Sequence, residues 1–168
     1  MQELHGFHES RPSVHRLESG DWQILKDLRV QALVDSPDAF LGDAAAEKDY
    51  GEKYWHQELS RNVWLVATYN GTGIGLAKLN CAADDGVHVE ALWVAPGRRR
   101  RGVGRQLMSA VEDVAVARGV RQLKLWIFTE NDAARAFYLK LSYQETPYKQ
   151  PIKANGRIMC EEEYAKHL

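Results

Sequence analysis

At Val94-Ala95-Pro96-Gly97-Arg98-Arg99-Arg100-Arg101-Gly102-Val103-Gly104-Arg105 the chain changes from a meander of strands to alternating strands and helices. This stretch joins a strand rich in β-branched and aromatic residues to an amphipathic helix. Gly102 and Gly104 leave room for close approach of a ligand and permit positive φ. The helix start contributes unpaired N–H groups and the positive end of its dipole. Such a junction is an anion site suited to a phosphate or pyrophosphate. Five arginines surround it, and no acidic residue lies between Glu90 and Glu112. It is neither a P-loop, because Val103-Gly104 replaces Lys-Ser, nor a dinucleotide fingerprint, because the third glycine is missing. An exposed basic turn with two packing glycines is the alternative reading.

Upstream of this junction the chain reads as an antiparallel meander. Val63–Tyr69 is a strand by composition, Asn70-Gly71 is a hairpin turn, and residues 73–82 return, with Gly75 a close-approach site. Asp84-Asp85-Gly86 turns the chain into a third strand over 87–94. Before the meander, a short strand over 13–17 precedes a helix carrying Ile24, Leu25, Leu28, Ala32 and Leu33 on one face, stopped by Ser36-Pro37. A broken helical region covers 43–60. Downstream, a helix with Val103, Leu107, Val111 and Val114 ends at Arg118-Gly119. A strand over 122–128, a helix started by Asn131 or Asp132, and two strands around Asn155-Gly156 follow. This is one α+β (mixed α/β) domain over 13–168, after a loose arm at 1–12.

Composition narrows the function classes. The 168 residues carry a net charge of −1, so no global field draws the chain to nucleic acid or anionic lipid. No apolar run reaches the roughly 20 residues that span a bilayer. Cys81 and Cys160 read as buried free thiols of a reducing compartment, which makes a cytoplasmic domain the expectation. The histidines and cysteines have no metal-ligand spacing, so no metal is proposed. His88, two residues before Glu90, reads as a structural histidine with a second-base reading beside it. Glu161-Glu162-Glu163 reads as a solvated face or a helix-dipole neighbour.

The segment Arg99-Arg100-Arg101-Gly102-Val103-Gly104 matches the pattern [RQ]-x-x-G-x-[GA] behind a strand ending in Val94-Ala95-Pro96. Asn131-Asp132-Ala133-Ala134-Arg135-Ala136-Phe137-Tyr138 matches N-x-x-A-x-x-F-Y, and Leu141-Ser142-Tyr143 stands where L-G-[FY] is usual. Together they resemble the GNAT-type N-acetyltransferases, over roughly 13–165 and most closely from 87 to 143.

The resemblance implies a mostly antiparallel sheet of six or seven strands with about four helices, splayed between the strands at 87–94 and 121–128. It implies that the backbone N–H groups of Arg99, Arg100, Arg101, Gly102, Val103 and Gly104 hold the pyrophosphate of acetyl-CoA. Arg98, Arg100 and Arg105 are the candidates for its 3′-phosphate. Leu92, Trp93 and Val94 would lie along the pantetheine arm, with Asn131, Ala134, Phe137 and Tyr138 also at the cofactor. Tyr138 takes the general-acid role and Glu90 the general-base role. Their alternatives are a core tyrosine and a solvent-facing strand charge. Ser142 is strained wherever its turn requires positive φ. The implied activity is acetyl transfer from acetyl-CoA to a primary amine of a small molecule or peptide, and a non-catalytic acyl-CoA-binding module is the alternative. A homodimer is a family-based expectation. Acceptor residues are expected at about 25–60 and 143–160, where Asp43, Glu47, Asp49 and Glu52 are candidates to meet a cationic amine.

Overall fold

A computed structural model describes residues 11–83, 86–154 and 156–168. Most of the N-terminal arm, the Asp84-Asp85 part of one turn and Asn155 of another lie outside the described residues. Seven strands form one sheet in the order β1-β2-β3-β4-β5-β7-β6. They are β1 (Ser13–Arg16), β2 (Val63–Tyr69), β3 (Thr72–Asn80), β4 (His88–Val94), β5 (Gln122–Phe128), β6 (Gln144–Ala154) and β7 (Arg157–His167). Five helices accompany it: α1 (Trp22–Asp35), α2 (Ala44–Asp49), α3 (Glu52–Arg61), α4 (Val103–Ala117) and α5 (Asp132–Lys140). The broken helical region is therefore two helices, parted where Tyr50 turns to extended backbone before Gly51.

Side-chain alternation sorts the core into two layers. Val63, Leu65, Ala67, Ala77, Leu79, Val89, Leu123 and Leu125 point one way and pack on Val103, Leu107, Met108 and Val111 of α4. Trp64, Val66, Leu76 and Trp93 point the other way and pack on Leu25, Leu28 and Ala32 of α1 and on Trp55 and Leu59 of α3. Leu107 is fully buried, and truncating it to Ala would cost about 2–5 kcal/mol.

The sheet is antiparallel except between β4 and β5, which run parallel and stay in register only at His88–Lys124 and Val89–Leu125. Beyond Val89 the two strands part. The same segment of β4 is bulged. Leu76 opposes Trp93 and Lys78 opposes Glu90, so Ala91 and Leu92 share one partner position on β3. Ala91 has φ +53°, the left-handed conformation that a bulge demands of its extra residue. Glu90 and Ala91 therefore both line the α1–α3 side, while Leu92 and Val94 pack with the α4 layer.

Two sequence expectations are corrected. Glu161, Glu162 and Glu163 are not a solvated face: they are 6%, 3% and 2% exposed. They sit in β7, which has β5 on one side and β6 on the other. Each carboxylate reaches a donor from a neighbour: Gln150 for Glu161 (2.6 Å), Arg135 for Glu162 (2.8 Å) and Thr146 for Glu163 (2.9 Å). The thiols are free but not buried, since Cys160 is exposed and Cys81 only partly covered.

Candidate active site

The junction after β4 is built from backbone. Pro96–Arg98 forms a 3-10 turn, Arg100 has φ +59°, and Gly102 has φ +82° as the N-cap of α4. The first bond into the helix is Gln106 N–H to the Gly102 carbonyl, at 3.0 Å. The N–H groups of Val103, Gly104 and Arg105 have no helical acceptor behind them. Left-handed residues next to helical ones turn successive N–H groups to one side, a concavity that suits an anion. Arg100 carries a side chain in that conformation at a cost of roughly 1–2 kcal/mol. A Cβ on Gly104 would come within 3.3 Å of the Phe137 ring and 3.7 Å of Val94, so a side chain here would press on that ring.

The five arginines divide into two groups. Arg98 lies over the Tyr69 ring at 4.0 Å. Arg99 turns back: its Nε donates to the Val94 carbonyl at 2.8 Å, and its guanidinium pairs with Asp35 at the end of α1. Asp35 also accepts from the Trp93 indole at 2.9 Å. The Trp93 bond, with those from Ser36 and Arg99, outweighs partial desolvation and holds the Asp35 carboxyl below its usual range. Arg100, Arg101 and Arg105 are exposed, and among the described residues none of them makes an ion pair.

On the α4 side of the split lies α5. Asn131 caps it by accepting the Ala134 N–H at 3.0 Å. Phe137 and Tyr138 follow one turn later, with ring centroids 5.2 Å apart. Tyr138 is 7% exposed, with Tyr143 edge-on at 5.7 Å. Burial alone pushes its phenol well above the ordinary value near 10, so it stays protonated across the physiological range. Ser142 does sit at positive φ, +68°.

On the opposite side of the split is a cavity of about 390 Å³. Glu90 stands in its wall, accepting from Asn80 Nδ2 at 2.8 Å and paired with Lys78 Nζ at 3.2 Å. Lys78 also reaches Glu58 of α3, at 3.3 Å. His88 is buried on the same face as Glu90. Glu47 lines the cavity in a two-point pair with Arg29 at 2.9 and 3.0 Å, whereas Asp43 caps α2. A second cavity of about 700 Å³, with Asp35 and Asn131 in its lining, shares Ala39 and Phe128 with the first.

Sequence reasoning missed Asp35, Glu58, Lys78, Asn80 and Glu161. Lys78 and Asn80 carried a signal, polar residues alternating with Ala77, Leu79 and Cys81 along a return strand. Asp35, Glu58 and Glu161 come from elements whose approach to β4 has no local sequence mark. Among the described residues, no cluster of His, Cys, Asp and Glu is arranged to hold a metal ion, and no helix is long and apolar enough to cross a membrane.

Comparison with known proteins places this geometry. The model of the acetyltransferase (GNAT) family matches residues 25–143. An uncharacterised N-acetyltransferase of Methanocaldococcus jannaschii is 27% identical over 111 residues, 62% of this chain and 48% of that protein, so the match spans about half the length of that relative. A GCN5-related N-acetyltransferase structure from Rhodopseudomonas palustris superposes with TM-score 0.72 at 25% identity, covering 95% of this chain and 98% of the other. A putative acetyltransferase from Salmonella typhimurium, solved with its cofactor acetyl-CoA, superposes with TM-score 0.73 at 19% identity and 94% coverage of both chains. The chain thus belongs to the acetyltransferase (GNAT) family, and the activity of its class is acetyl-CoA-dependent N-acetyl transfer.

Proposed function

We propose that this chain acetylates a primary amine, with acetyl-CoA on the α4–α5 side of the β4–β5 split and the acceptor on the α1–α3 side. The observation that carries the reading is the edge of β4 beyond Val89, which β5 no longer pairs, running directly into the glycine-floored loop. The residues fit the cofactor. The N–H groups of the 99–105 segment suit a pyrophosphate. Arg100, Arg101 and Arg105 are the cations available to its phosphates, whereas Arg98 and Arg99 have structural partners. The backbone of Leu92, Trp93 and Val94 offers an extended arm the pairing that a further strand would take. Asn131, Ala134 and Phe137 line the same side.

Acetyl-CoA supplies the activated acetyl group and leaves as a thiol. The chain's own residues handle protons and orientation. An alkyl ammonium has a pKa near 10, so most of the acceptor arrives charged at neutral pH and must lose a proton before it attacks. Glu90, oriented by Asn80 and Lys78, accepts that proton at its carboxylate. A backbone N–H beside Trp93 and Val94 stabilises negative charge developing on the carbonyl oxygen. Tyr138, kept neutral by burial, donates its phenolic proton toward the departing sulfur. Two free cysteines fit a reducing compartment, and we place the enzyme in the cytoplasm as a homodimer without nucleic-acid partners.

Thermal melting tests the cofactor assignment. Acetyl-CoA at 100 times its dissociation constant stabilises the folded state by about 2.7 kcal/mol and raises the midpoint. An oligonucleotide should not. A midpoint raised by the oligonucleotide and not by acetyl-CoA would assign the arginine loop to nucleic acid.

A further inference from the structure

The acceptor-side cavity carries more charge than its internal pairs neutralise. Arg29 and Glu47 cancel each other. Lys78 is shared by Glu58 and Glu90, so that trio keeps one negative charge. Glu161 adds another. It is 6% exposed, and it lines the cavity from β7 opposite Phe128 of β5, whereas Glu90 lines it from β4. Its partner is the neutral amide of Gln150, at 2.6 Å. Among the described residues no Lys, Arg or His lies within salt-bridge distance of it. Burying a carboxylate is costly unless a cation pairs with it, and the Gln150 amide carries no charge. The cavity's lining is also aromatic, with Tyr54, Trp126 and Phe128 among its residues. Their ring faces attract ammonium and guanidinium groups and pack on methylene stems.

From this charge balance we propose that the acceptor is a small aliphatic dication. Its reactive amine sits at Glu90 and a second ammonium or guanidinium sits at Glu161, which completes the buried carboxylate's missing pair. The reaction at the first amine is unchanged. That nitrogen forms the amide bond and the carbon–sulfur bond breaks; of the two protons an ammonium loses on becoming an amide, the first goes to Glu90 and the second restores the proton that Tyr138 gives to the leaving thiolate. The second cation keeps its charge throughout and serves as an anchor. The proposal rests on the N-acetyltransferase reading above and adds which amine that site selects. An amine carrying a carboxylate in place of the second cation would put like charge against Glu161 and be rejected.

Thiol release from acetyl-CoA, followed with 1,4-diaminobutane, 1-aminobutane and 4-aminobutanoate, separates the possibilities. The diamine should exceed the monoamine in kcat/KM by about 10- to 100-fold, the range for one hydrogen bond to a charged group, and the amino acid should be the poorest. Glu161→Gln should erase the diamine's advantage through KM, and an unchanged melting shift with acetyl-CoA shows that the variant is folded. Equal use of diamine and monoamine, preference for the amino acid, or an advantage surviving in Glu161→Gln would overturn the proposal. Loss of kcat on every amine in that variant would make Glu161 a proton carrier and overturn it too. Silence toward all three small amines, with a peptide amine still acetylated, would overturn the dication while leaving the N-acetyltransferase reading intact. Failure of acetyl-CoA to bind at all would bring down that reading itself.

Discussion

The two sides of the β4–β5 split are built on different principles. The proposed cofactor side is a backbone site from one continuous segment, Val94 to Arg105, backed by a single turn of α5. The proposed acceptor side is a side-chain site, assembled from Arg29 of α1, Glu47 of α2, Tyr54 and Glu58 of α3, Lys78 of β3, Glu90 of β4 and Glu161 of β7. A backbone site needs glycine and helix geometry at fixed spacing, and so it leaves a pattern in the sequence. A side-chain site needs only that distant residues converge, and it leaves none. The difference also sets what breaks each side. One changed glycine disables the first, whereas the second degrades in steps.

The largest effect is expected on the backbone side. Gly104→Glu places a side chain against Phe137 and a negative charge in the N–H concavity. Acetyl-CoA affinity should fall by about 100-fold or more, as expected when a pair of charge-assisted hydrogen bonds is lost. Calorimetric titration of the folded variant checks this, and parental affinity would remove the loop from cofactor binding. Tyr138→Phe comes next. It deletes one hydroxyl from a buried ring and should lower kcat by about 10²-fold, with kcat/KM falling in step and acetyl-CoA affinity unchanged. A variant that melts earlier yet turns over normally would make Tyr138 a core residue.

The acceptor side should respond more gently. Glu90→Gln is expected to reduce turnover roughly 10-fold near neutral pH and less as pH rises toward the amine pKa, because a larger fraction of acceptor then arrives neutral. A pH–rate profile parallel to the parent's would exclude Glu90 as the proton acceptor and leave His88 or water.

The smallest effect concerns stability, at the clasp that ties the two sides together. Asp35 is held below its ordinary range by Trp93, Ser36 and Arg99. Its contribution is complete above the unfolded carboxylate value near 4 and is lost as pH falls through the lower folded value. The melting temperature should therefore drop in acid, and Asp35→Asn should flatten part of that drop. An identical acid profile in the variant would show that the clasp does not stabilise the fold.

How much was legible follows from the same contrast. The hairpin at Asn70-Gly71, the strand over 122–128 and the α4 stripe are local patterns, and each element appears within two residues of its expected span. The split between β4 and β5 came only through resemblance to a family, and the bulge beside it, at the left-handed Ala91, has no glycine to announce it. Glu161-Glu162-Glu163 was misread for a physical reason. Three adjacent carboxylates are buried where β5 and β6 flank β7, with Thr146 and Gln150 supplied by β6 and Arg135 by α5, and that assembly is non-local. In the loop, the sequence offered five equivalent arginines. The fold commits two of them, Arg98 to Tyr69 and Arg99 to Asp35, through contacts that span 29 and 64 residues of chain (98 − 69 and 99 − 35).

The most direct test of the account is a mass balance on the wild-type protein with acetyl-CoA and a panel of primary amines, measuring free CoA thiol and acetylated amine in the same reaction. The account predicts that the two products appear in equal amounts and that both vanish when either substrate is omitted. Saturable binding of acetyl-CoA with no acetylated product from any small-molecule or peptide amine would contradict it, and would leave a cofactor-binding fold without chemistry.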